Sequence, residues 1–202
     1  MTLTKIVSGG QTGVDRGALD AALVAGFTCG GWCPADRLAE DGEIPGRYPL
    51  TPLPAEFATG RWQRTQVREA SQSHASDSAA PGESRTPERP GQMKNARQVA
   101  EQYRARTLGN VQDSDGTVIL FSSTLSGGTL LTRNLCVRER KPFIALDAKG
   151  MTKLRAADAI VRFIIEREIH VLNVAGPRLS GWPQGYAFAL GMVGEVIQKG
   201  GG

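Results

Sequence analysis

A short apolar strand that runs directly into a glycine-rich turn and then into a helix is the feature that most limits the possible folds of this chain. It occupies residues 5–16 and reads Lys-Ile-Val-Ser-Gly-Gly-Gln-Thr-Gly-Val-Asp-Arg. Such a turn directs backbone N–H groups and the positive end of a helix dipole at one point. Similar turns recur at residues 126–129 and 175–178. Together they predict a site for a phosphorylated, nucleotide-like small molecule.

Apolar strands alternate with helical patterns through most of the chain. Strands are predicted at residues 5–8, 28–32, 117–121, 143–146 and 170–174, and helices after residue 13 and near 128–140, 151–168 and 184–198. This alternation predicts an α/β fold with a doubly wound, Rossmann-like, mostly parallel sheet of about five or more strands and helices on both faces. Ligands of such sheets bind beyond the carboxyl ends of the strands, where all three glycine turns are expected.

Two helices carry predictions about which residues are buried. The helix near 151–168 has an apolar repeat that begins at Leu154 and is expected to face the sheet. A further helix is predicted at 93–107, with Val99 and Tyr103 facing inward.

The chain of 202 residues is predicted to form a single Rossmann-like domain with a polar, mobile insertion loop at 55–98. Residues 71–91 contain no Val, Ile, Leu, Met, Phe, Trp or Tyr, so they cannot bury enough apolar surface to fold. The net charge of +4 comes mainly from residues 56–106, which hold nine Arg and Lys against six Asp and Glu. A nearly neutral core argues against a nucleic-acid-binding protein. Nucleic-acid binding through the basic insertion is the weakest of the alternatives.

Localisation is predicted from three absences. The sequence has no apolar run long enough to cross a bilayer and no basic and apolar leader at its start. Its three cysteines, Cys29, Cys33 and Cys136, are an odd number without the spacing of a disulfide framework. We therefore expect a cytoplasmic protein that does not associate with membranes.

The first turn supplies seven candidate ligand-binding residues, namely Gly9, Gly10, Gln11, Thr12, Gly13, Asp15 and Arg16. Its spacing differs from the G-x-G-x-x-G fingerprint, so a nicotinamide cofactor is not implied. Asp15 has two interpretations. It can form a capping box with Thr12, or its carboxylate can bind a ribose hydroxyl or an amino group on a base.

The other candidates follow later strands. In the second turn they are Ser126, Gly127, Gly128, Thr129 and Thr132, whose hydroxyls and glycines resemble a phosphate cradle, although Ser126 could simply cap its helix. Around the third turn they are Asn173, Gly176 and Arg178, the last as an anion clamp. Trp32 could stack on a heterocycle and Cys33 could offer a sulfur contact, or both could be core residues.

No metal site and no catalytic constellation is predicted. Cys29 and Cys33 lack further ligands for zinc, and the two histidines, His74 and His170, lie apart from them. If the protein is an enzyme, Asp15 and Asp115 are the candidate acid–base groups.

The order of these motifs resembles the molybdenum cofactor carrier family, a circularly permuted, YpsA-like branch of the SLOG superfamily related to the Lonely Guy nucleotide hydrolases. The matching segments are residues 8–16, 30–34, 37, 39–42, 44–45, 48–50, 106–107, 110–111, 113–117, 126–129 and 173–178. The resemblance implies a Rossmann-like, oligomeric protein that holds the molybdenum cofactor (molybdopterin), or another phosphorylated nucleotide-like ligand, over its glycine turns. It also implies molybdoenzymes as partners that receive the cofactor.

Two departures from the pattern bear on function. The 55–98 insertion interrupts a stretch that looks short in relatives, and the catalytic glutamate of the Lonely Guy motif is replaced, because the run ends Arg133-Asn134. The leading hypothesis is therefore a small-molecule binding or carrier protein. The alternative is an enzyme that acts on a nucleoside phosphate or nucleotide-derived signal, as a Lonely Guy-like N-glycosidic hydrolase.

Overall fold

A computed structural model describes residues 3–54 and 96–200 of the chain. In chain order the elements are β1 (Lys5–Val7), α1 (Val14–Val24), β2 (Cys29–Gly30), β3 (Trp32–Cys33), β4 (Leu38–Ala39), β5 (Gly42–Glu43), β6 (Thr51–Pro52), α2 (Ala96–Gln112), β7 (Gly116–Phe121), α3 (Gly127–Glu139), β8 (Phe143–Asp147), α4 (Lys153–Glu166), β9 (Val171–Ala175) and α5 (Gly185–Gly200). Most of the predicted insertion loop, residues 55–95, lies outside the described residues, and its last three residues, 96–98, belong to α2.

Five strands form one parallel sheet in the order β2-β1-β9-β7-β8. This arrangement confirms the predicted Rossmann-like architecture. The interior strand β7 illustrates why the strands could be predicted from the sequence, because Val118, Ile119 and Leu120 are all fully buried, as a strand covered on both faces requires. All five strands run the same way, so their carboxyl ends meet at one edge of the sheet.

Helices cover both faces of the sheet. Val118 and Leu120 pack into the larger core with α1, α4 and α5, where Ile160 is one of the buried helix residues. Ile119, which points the opposite way because strand side chains alternate, packs with Leu135 and other residues of α2 and α3. The prediction of helices on both faces is confirmed.

The predicted strand at 28–32 is two strands in the structure. Gly31, with a φ of 133°, separates β2 in the main sheet from β3, which pairs with β6 in a small two-stranded sheet. A Cβ at this position would overlap the carbonyl oxygen of Ser8, so the bend requires glycine. Trp32 therefore leaves the main sheet rather than ending one of its strands.

Two expectations about helix burial are wrong. Helix α2 continues to Gln112, and it buries Ala105 and Leu108 while Val99 remains 37% exposed. In α4 the hydroxyl of Thr152 accepts a hydrogen bond from the backbone N–H of Arg155, which fixes the first turn with Leu154 outward and 54% exposed. The buried stripe of α4 begins two residues later, at Ala156.

No helix within residues 3–54 and 96–200 combines the length and apolar character needed to span a bilayer.

Candidate functional site

A cavity of about 440 Å³ lies at the carboxyl ends of β1, β7 and β9. All three glycine turns contribute to its wall, and α2 closes the remaining side. The lining residues from the turns include Gly9, Gln11, Asp15, Ser126, Gly127, Gly128, Thr129, Thr132, Asn173, Gly176 and Arg178, and those from α2 are Tyr103, Arg106, Thr107 and Asn110. The structure thus brings eleven of the seventeen predicted ligand-binding residues into one cavity.

The second turn presents open backbone donors to this cavity. Ser126 is the N-cap of α3 but its side chain makes no capping hydrogen bond, and Gly127 adopts a left-handed conformation with a φ of 54°. Among the described residues, no acceptor pairs with the amides of Gly127, Gly128 and Thr129, the first three of the helix. The space that a Cβ would occupy at either glycine is empty to 4 Å. Unpaired amides at a helix N-terminus favour an anion.

The hydroxyl of Thr132 is turned back into this helix. Its Oγ1 donates to the carbonyl oxygen of Gly128 at 3.0 Å, so the proton is used within α3. The Thr132 oxygen can still accept a hydrogen bond, but the groups that can donate one at this end of the cavity are backbone amides.

The first turn is organised differently, because protein acceptors already bind two of its donors. The Asp15 carboxylate accepts a hydrogen bond from the backbone N–H of Gln11 at 3.2 Å, and the side-chain oxygen of Gln11 accepts one from the backbone N–H of Thr12 at 3.0 Å. Asp15 thus reaches back over the turn, as a capping residue does, but Gly13 is the N-cap of α1. The turn holds a negative side chain rather than an open nest of amides.

An ion pair joins this turn to α2. Nη1 of Arg106 donates to Oδ2 of Asp15 at 3.0 Å, and the two side chains are only 14% and 6% exposed. A Cβ on Gly9 would overlap the Arg106 guanidinium, so the glycine leaves the space that this arginine fills. Burial raises the pKa of Asp15 above its ordinary value, while the charge and hydrogen bond of Arg106 act against that rise.

An aromatic side chain lies beside the pair. The guanidinium carbon of Arg106 is 5.5 Å from the ring centroid of Tyr103, and Tyr103 lines the cavity. Nε of Arg106 is buried and has no hydrogen-bond partner within the described chain. Sequence reasoning placed Tyr103 inward but assigned neither residue to the site. The signal that could have found them is the polar and aromatic face of α2, where residues 103, 106, 107 and 110 recur at helical spacing.

The third turn is tied to the first through a glutamate outside the cavity. Glu40 accepts hydrogen bonds from the hydroxyl of Thr12 and from the backbone N–H and hydroxyl of Ser180. Partial burial acts to raise the pKa of Glu40, but these hydrogen bonds outweigh it and lower the pKa. Nε of Arg178 lies 3.6 Å from this carboxylate, and the arginine side chain is 58% exposed at the mouth of the cavity.

Asn173 and Gly176 form part of the cavity wall. The Asn173 side-chain amide donates to Oγ1 of Thr117 on the neighbouring strand at 3.3 Å. Gly176 packs against Val14, where a Cβ would be 2.7 Å from one of the valine methyl groups.

Four predicted residues of the first turn and helix lie outside the cavity and hold neighbouring segments. Gly10, with a φ of 73°, packs against Leu50, and Gly13 packs against the backbone of residues 177–179. Thr12 bonds to Glu40 and to the backbone N–H of residue 179. Arg16 makes a bidentate ion pair with the carboxylate of Asp41, at 2.6 and 2.8 Å.

Trp32 and Cys33 are core residues rather than cavity residues. The indole N–H of Trp32 donates to the carboxylate of Asp113 at 2.7 Å, and the Asn110 side chain bonds both the N–H and the carbonyl of Trp32. Cys33 is fully buried, and burial raises the pKa of its thiol. Among the described residues, Tyr103 and Trp182, not Trp32, are the aromatic side chains that line the cavity, and Tyr103 lies on the wall beside the ion pair.

Asp115 lies at the end of the sheet where the strands begin, on the side away from the cavity. Its carboxylate accepts hydrogen bonds from the backbone N–H groups of His170 and Val171, at the amino end of β9. Asp15 is the one carboxylate among the residues that line the cavity in the described chain. Within residues 3–54 and 96–200, no group of three or more His, Cys, Asp or Glu side chains is arranged to hold a metal ion.

Comparisons with known proteins agree with this architecture. The model of the circularly permuted YpsA SLOG family matches residues 6–80 and 81–197. A crystal structure from Syntrophus aciditrophicus SB, described as a "Putative molybdenum carrier protein", is 31% identical, with a TM-score of 0.71 over 97% of this chain and 96% of that one. No curated protein matches the chain. By the extent of the family match and the full-length similarity, the chain belongs to the circularly permuted YpsA SLOG family.

Proposed function

We propose that the protein binds and carries a phosphorylated, planar heterocycle, and that the molybdenum cofactor is this cargo. The observation that carries the proposal is the open N-terminus of α3, where the amides of Gly127, Gly128 and Thr129 have no acceptor among the described residues and line a cavity of about 440 Å³. Cavities of roughly 300–1,000 Å³ suit small molecules and cofactors. The similarity to a protein described as a molybdenum carrier supports this choice of cargo over other phosphorylated heterocycles.

The proposed binding mode uses the two ends of the cavity differently. The ligand phosphate accepts hydrogen bonds from the amides of Gly128 and Thr129 and interacts with the helix dipole. The ring system extends toward Tyr103 and the Asp15–Arg106 pair on the opposite wall. Arg106 supplies a donor there, because its buried Nε is unpaired within the described residues. As a carrier, the protein would act in the cytoplasm as a homo-oligomer and deliver the cofactor to molybdoenzymes.

A substitution at Gly128 tests the phosphate subsite without disturbing the fold. Gly128 has an ordinary φ and empty space around its Cβ position, and an acidic residue in the first turn of a helix is stabilising. Gly128→Asp places a carboxylate beside the proposed phosphate and should weaken binding at least about tenfold, or about 1.4 kcal/mol. Gly128→Asn fills the same space without the charge and should bind more tightly than Gly128→Asp.

The measurement is anaerobic titration with cofactor released from a molybdoenzyme, with an unrelated Rossmann protein as the control. Gly194→Asp is the matched variant, because Gly194 in α5 also has no atom within 4 Å of its Cβ position and lies outside the cavity. It should bind as the wild type does. Retention by the wild type no greater than by the unrelated protein contradicts the cofactor proposal, and equal binding by the Asp and Asn variants contradicts the phosphate subsite.

Asp15 gives a specific reason to test hydrolysis as the second candidate function. A buried carboxyl with a raised pKa, facing a cavity, is typical of a general acid or base. Incubation with a panel of nucleoside monophosphates would release free base if the protein is an N-glycosidic hydrolase. Asp15→Asn should then abolish turnover, whereas Asp115→Asn at the opposite edge of the sheet should not. Absence of free base, or equal release by wild type and Asp15→Asn, counts against this candidate.

A further inference from the structure

A second concave surface lies at the end of the sheet where the strands begin, opposite to the cavity. It has a volume of about 540 Å³, is open to solvent along one side, and lies where the end of α3, the start of β8 and the last turns of α4 meet. We call it the basic groove and define it by Arg140, Phe143, Ile144, Arg162, Phe163 and Arg167. It lies at the amino end of β8, whereas the cavity lies at the carboxyl ends of the strands.

The charge of the groove is strongly unbalanced. Four cationic residues line it, the three arginines and Lys141, against a single acid, Glu166. Nζ of Lys141 donates to the carbonyl oxygen of residue 114 at 2.7 Å, so this lysine is already engaged. Within residues 3–54 and 96–200, no carboxylate lies within 4.0 Å of the three groove arginines.

Several arginines elsewhere on the described surface have a carboxylate partner, whereas others, such as Arg133 and Arg155, have none but do not line the groove. Arg16 pairs with Asp41 at 2.6 Å, and Arg47 lies 3.5 Å from Asp20. The groove is distinguished by holding three arginines together, although Arg162 lies close enough to Asp158 to add its charge to the hydrogen bond from Lys199 that lowers the pKa of that carboxyl.

The floor of the groove is apolar. Phe163 is 8% exposed, and Phe143 and Ile144 are half-buried on β8. β8 is an edge strand whose one partner in the main sheet is β7, so its other edge is free within the described chain. Arginine and aromatic residues around an apolar centre are the composition that distinguishes protein interfaces from other surface.

The shape and charge favour one kind of occupant. Small-molecule sites enclose most of the ligand surface, whereas this groove is largely open to solvent and therefore suits a segment of polypeptide better than an enclosed small molecule. A second copy of the same face would bring like charges together, which is unfavourable. A partner with carboxylates complements the charge, and apolar side chains between them complement the floor.

We propose that the basic groove docks an acidic, extended segment of another protein. The carboxylates of that segment pair with Arg140, Arg162 and Arg167, and its apolar side chains cover Phe143 and Ile144. Because the groove lies at the amino ends of the strands and the cavity at their carboxyl ends, a docked partner leaves the mouth of the cavity open. The proposal does not depend on the identity of the cargo.

The test is a selection of random twelve-residue peptides displayed on phage against the full chain. The most enriched sequence is synthesised with a fluorescent label. We expect enriched peptides to alternate Asp or Glu with apolar residues. The labelled peptide should bind the wild type, lose at least about tenfold in affinity with the double variant, and weaken as salt rises. Amides of β8 should gain protection from hydrogen exchange.

The matched control reverses two charges outside the groove. Arg133 and Arg155 are exposed on α3 and α4 and do not line it, so Arg133→Glu/Arg155→Glu should bind the peptide within about twofold of the wild type. If charge reversal lowers the melting temperature, Arg162→Gln/Arg167→Gln provides the same comparison with less repulsion.

Four results would overturn the proposal. These are no enrichment over the empty support, enriched peptides without acidic residues, undiminished binding by the groove variants, and equally tight binding of a single-stranded DNA oligonucleotide, which would indicate attraction to any polyanion. Sedimentation velocity adds a fifth. A wild-type oligomer that dissociates on Arg162→Glu/Arg167→Glu would assign the groove to a second copy of the chain.

Discussion

The buried ion pair between Asp15 and Arg106 makes the sharpest prediction about stability. Arg106→Met keeps the length and the apolar stem of the side chain but leaves the Asp15 carboxylate without its cation, in a position where that side chain is only 6% exposed. Removing one partner of a buried pair costs about 3–5 kcal/mol, because the remaining charge is left uncompensated. With a urea slope of about 2 kcal/mol per M, the unfolding midpoint should fall by about 2 M.

The loss should depend on pH in a defined direction. The folded-state pKa of Asp15 is raised above the unfolded value, so its favourable contribution is complete below the unfolded pKa and is lost as pH rises through the folded pKa. Without Arg106 the pKa rises further. Arg106→Met should therefore be destabilised more at about pH 8 than at about pH 5, compared with the wild type at the same pH.

The assay is urea unfolding at both pH values, followed by tryptophan fluorescence. Asp15→Asn/Arg106→Met should recover much of the stability lost by Arg106→Met, because no charge is left buried. Arg178→Met is the control, since that arginine is 58% exposed and 3.6 Å from its carboxylate, and it should cost less than about 1 kcal/mol. Equal losses at both pH values, together with no recovery in the double variant, would refute this account of the pair.

Three further predictions follow from contacts in the structure. Gly9→Ala should displace the Arg106 guanidinium, and we expect a lower melting temperature and weaker ligand binding, whereas unchanged values would mean that the arginine moves without cost. Tyr103→Leu should weaken ligand binding by about 1–3 kcal/mol, the usual contribution of stacking on a ring, while Tyr103→Phe retains it; equal titration curves would argue against a stacked ring. Leu154→Gln should change the free energy of unfolding by less than about 0.5 kcal/mol, whereas Ile160→Ala, in the core, should cost about 2–5 kcal/mol in the same urea measurement.

The sheet and its helices could be predicted from the sequence because their burial follows a local period. The fully buried run in β7, Val118 to Leu120, and the glycine turns after the strands report on neighbours within a few residues along the chain. The break at Gly31 could not be seen in this way, since it depends on the approach of Ser8 from β1. The outward position of Leu154 could not be predicted in this way either, because the apolar residues of α4 fit two overlapping stripes, one that begins at Leu154 and one that begins at Ala156.

The candidate site could be predicted in outline but not in its internal arrangement. The convergence of three turns follows from parallel strands ending at one edge of a sheet. The first turn is closed by the side chains of Asp15 and Gln11, and Asp15 is paired with Arg106, which lies 91 residues away in the chain and reaches it only in the folded state. Trp32 faces the core because α2 packs on it at Gly109, where a Cβ would be 2.8 Å from the indole. Contacts between distant segments leave no periodic signal.

The unequal ends of the cavity give it a direction. At α3 three backbone amides have no acceptor among the described residues, whereas two backbone donors of the first turn are already bound by Asp15 and Gln11. In the proposed binding mode, a molecule with a single terminal phosphate would place that group at α3 and its ring toward Arg106. A second phosphate would find these two donors of the first turn already bound, so we expect the proposed site to prefer ligands with one charged end over dinucleotides.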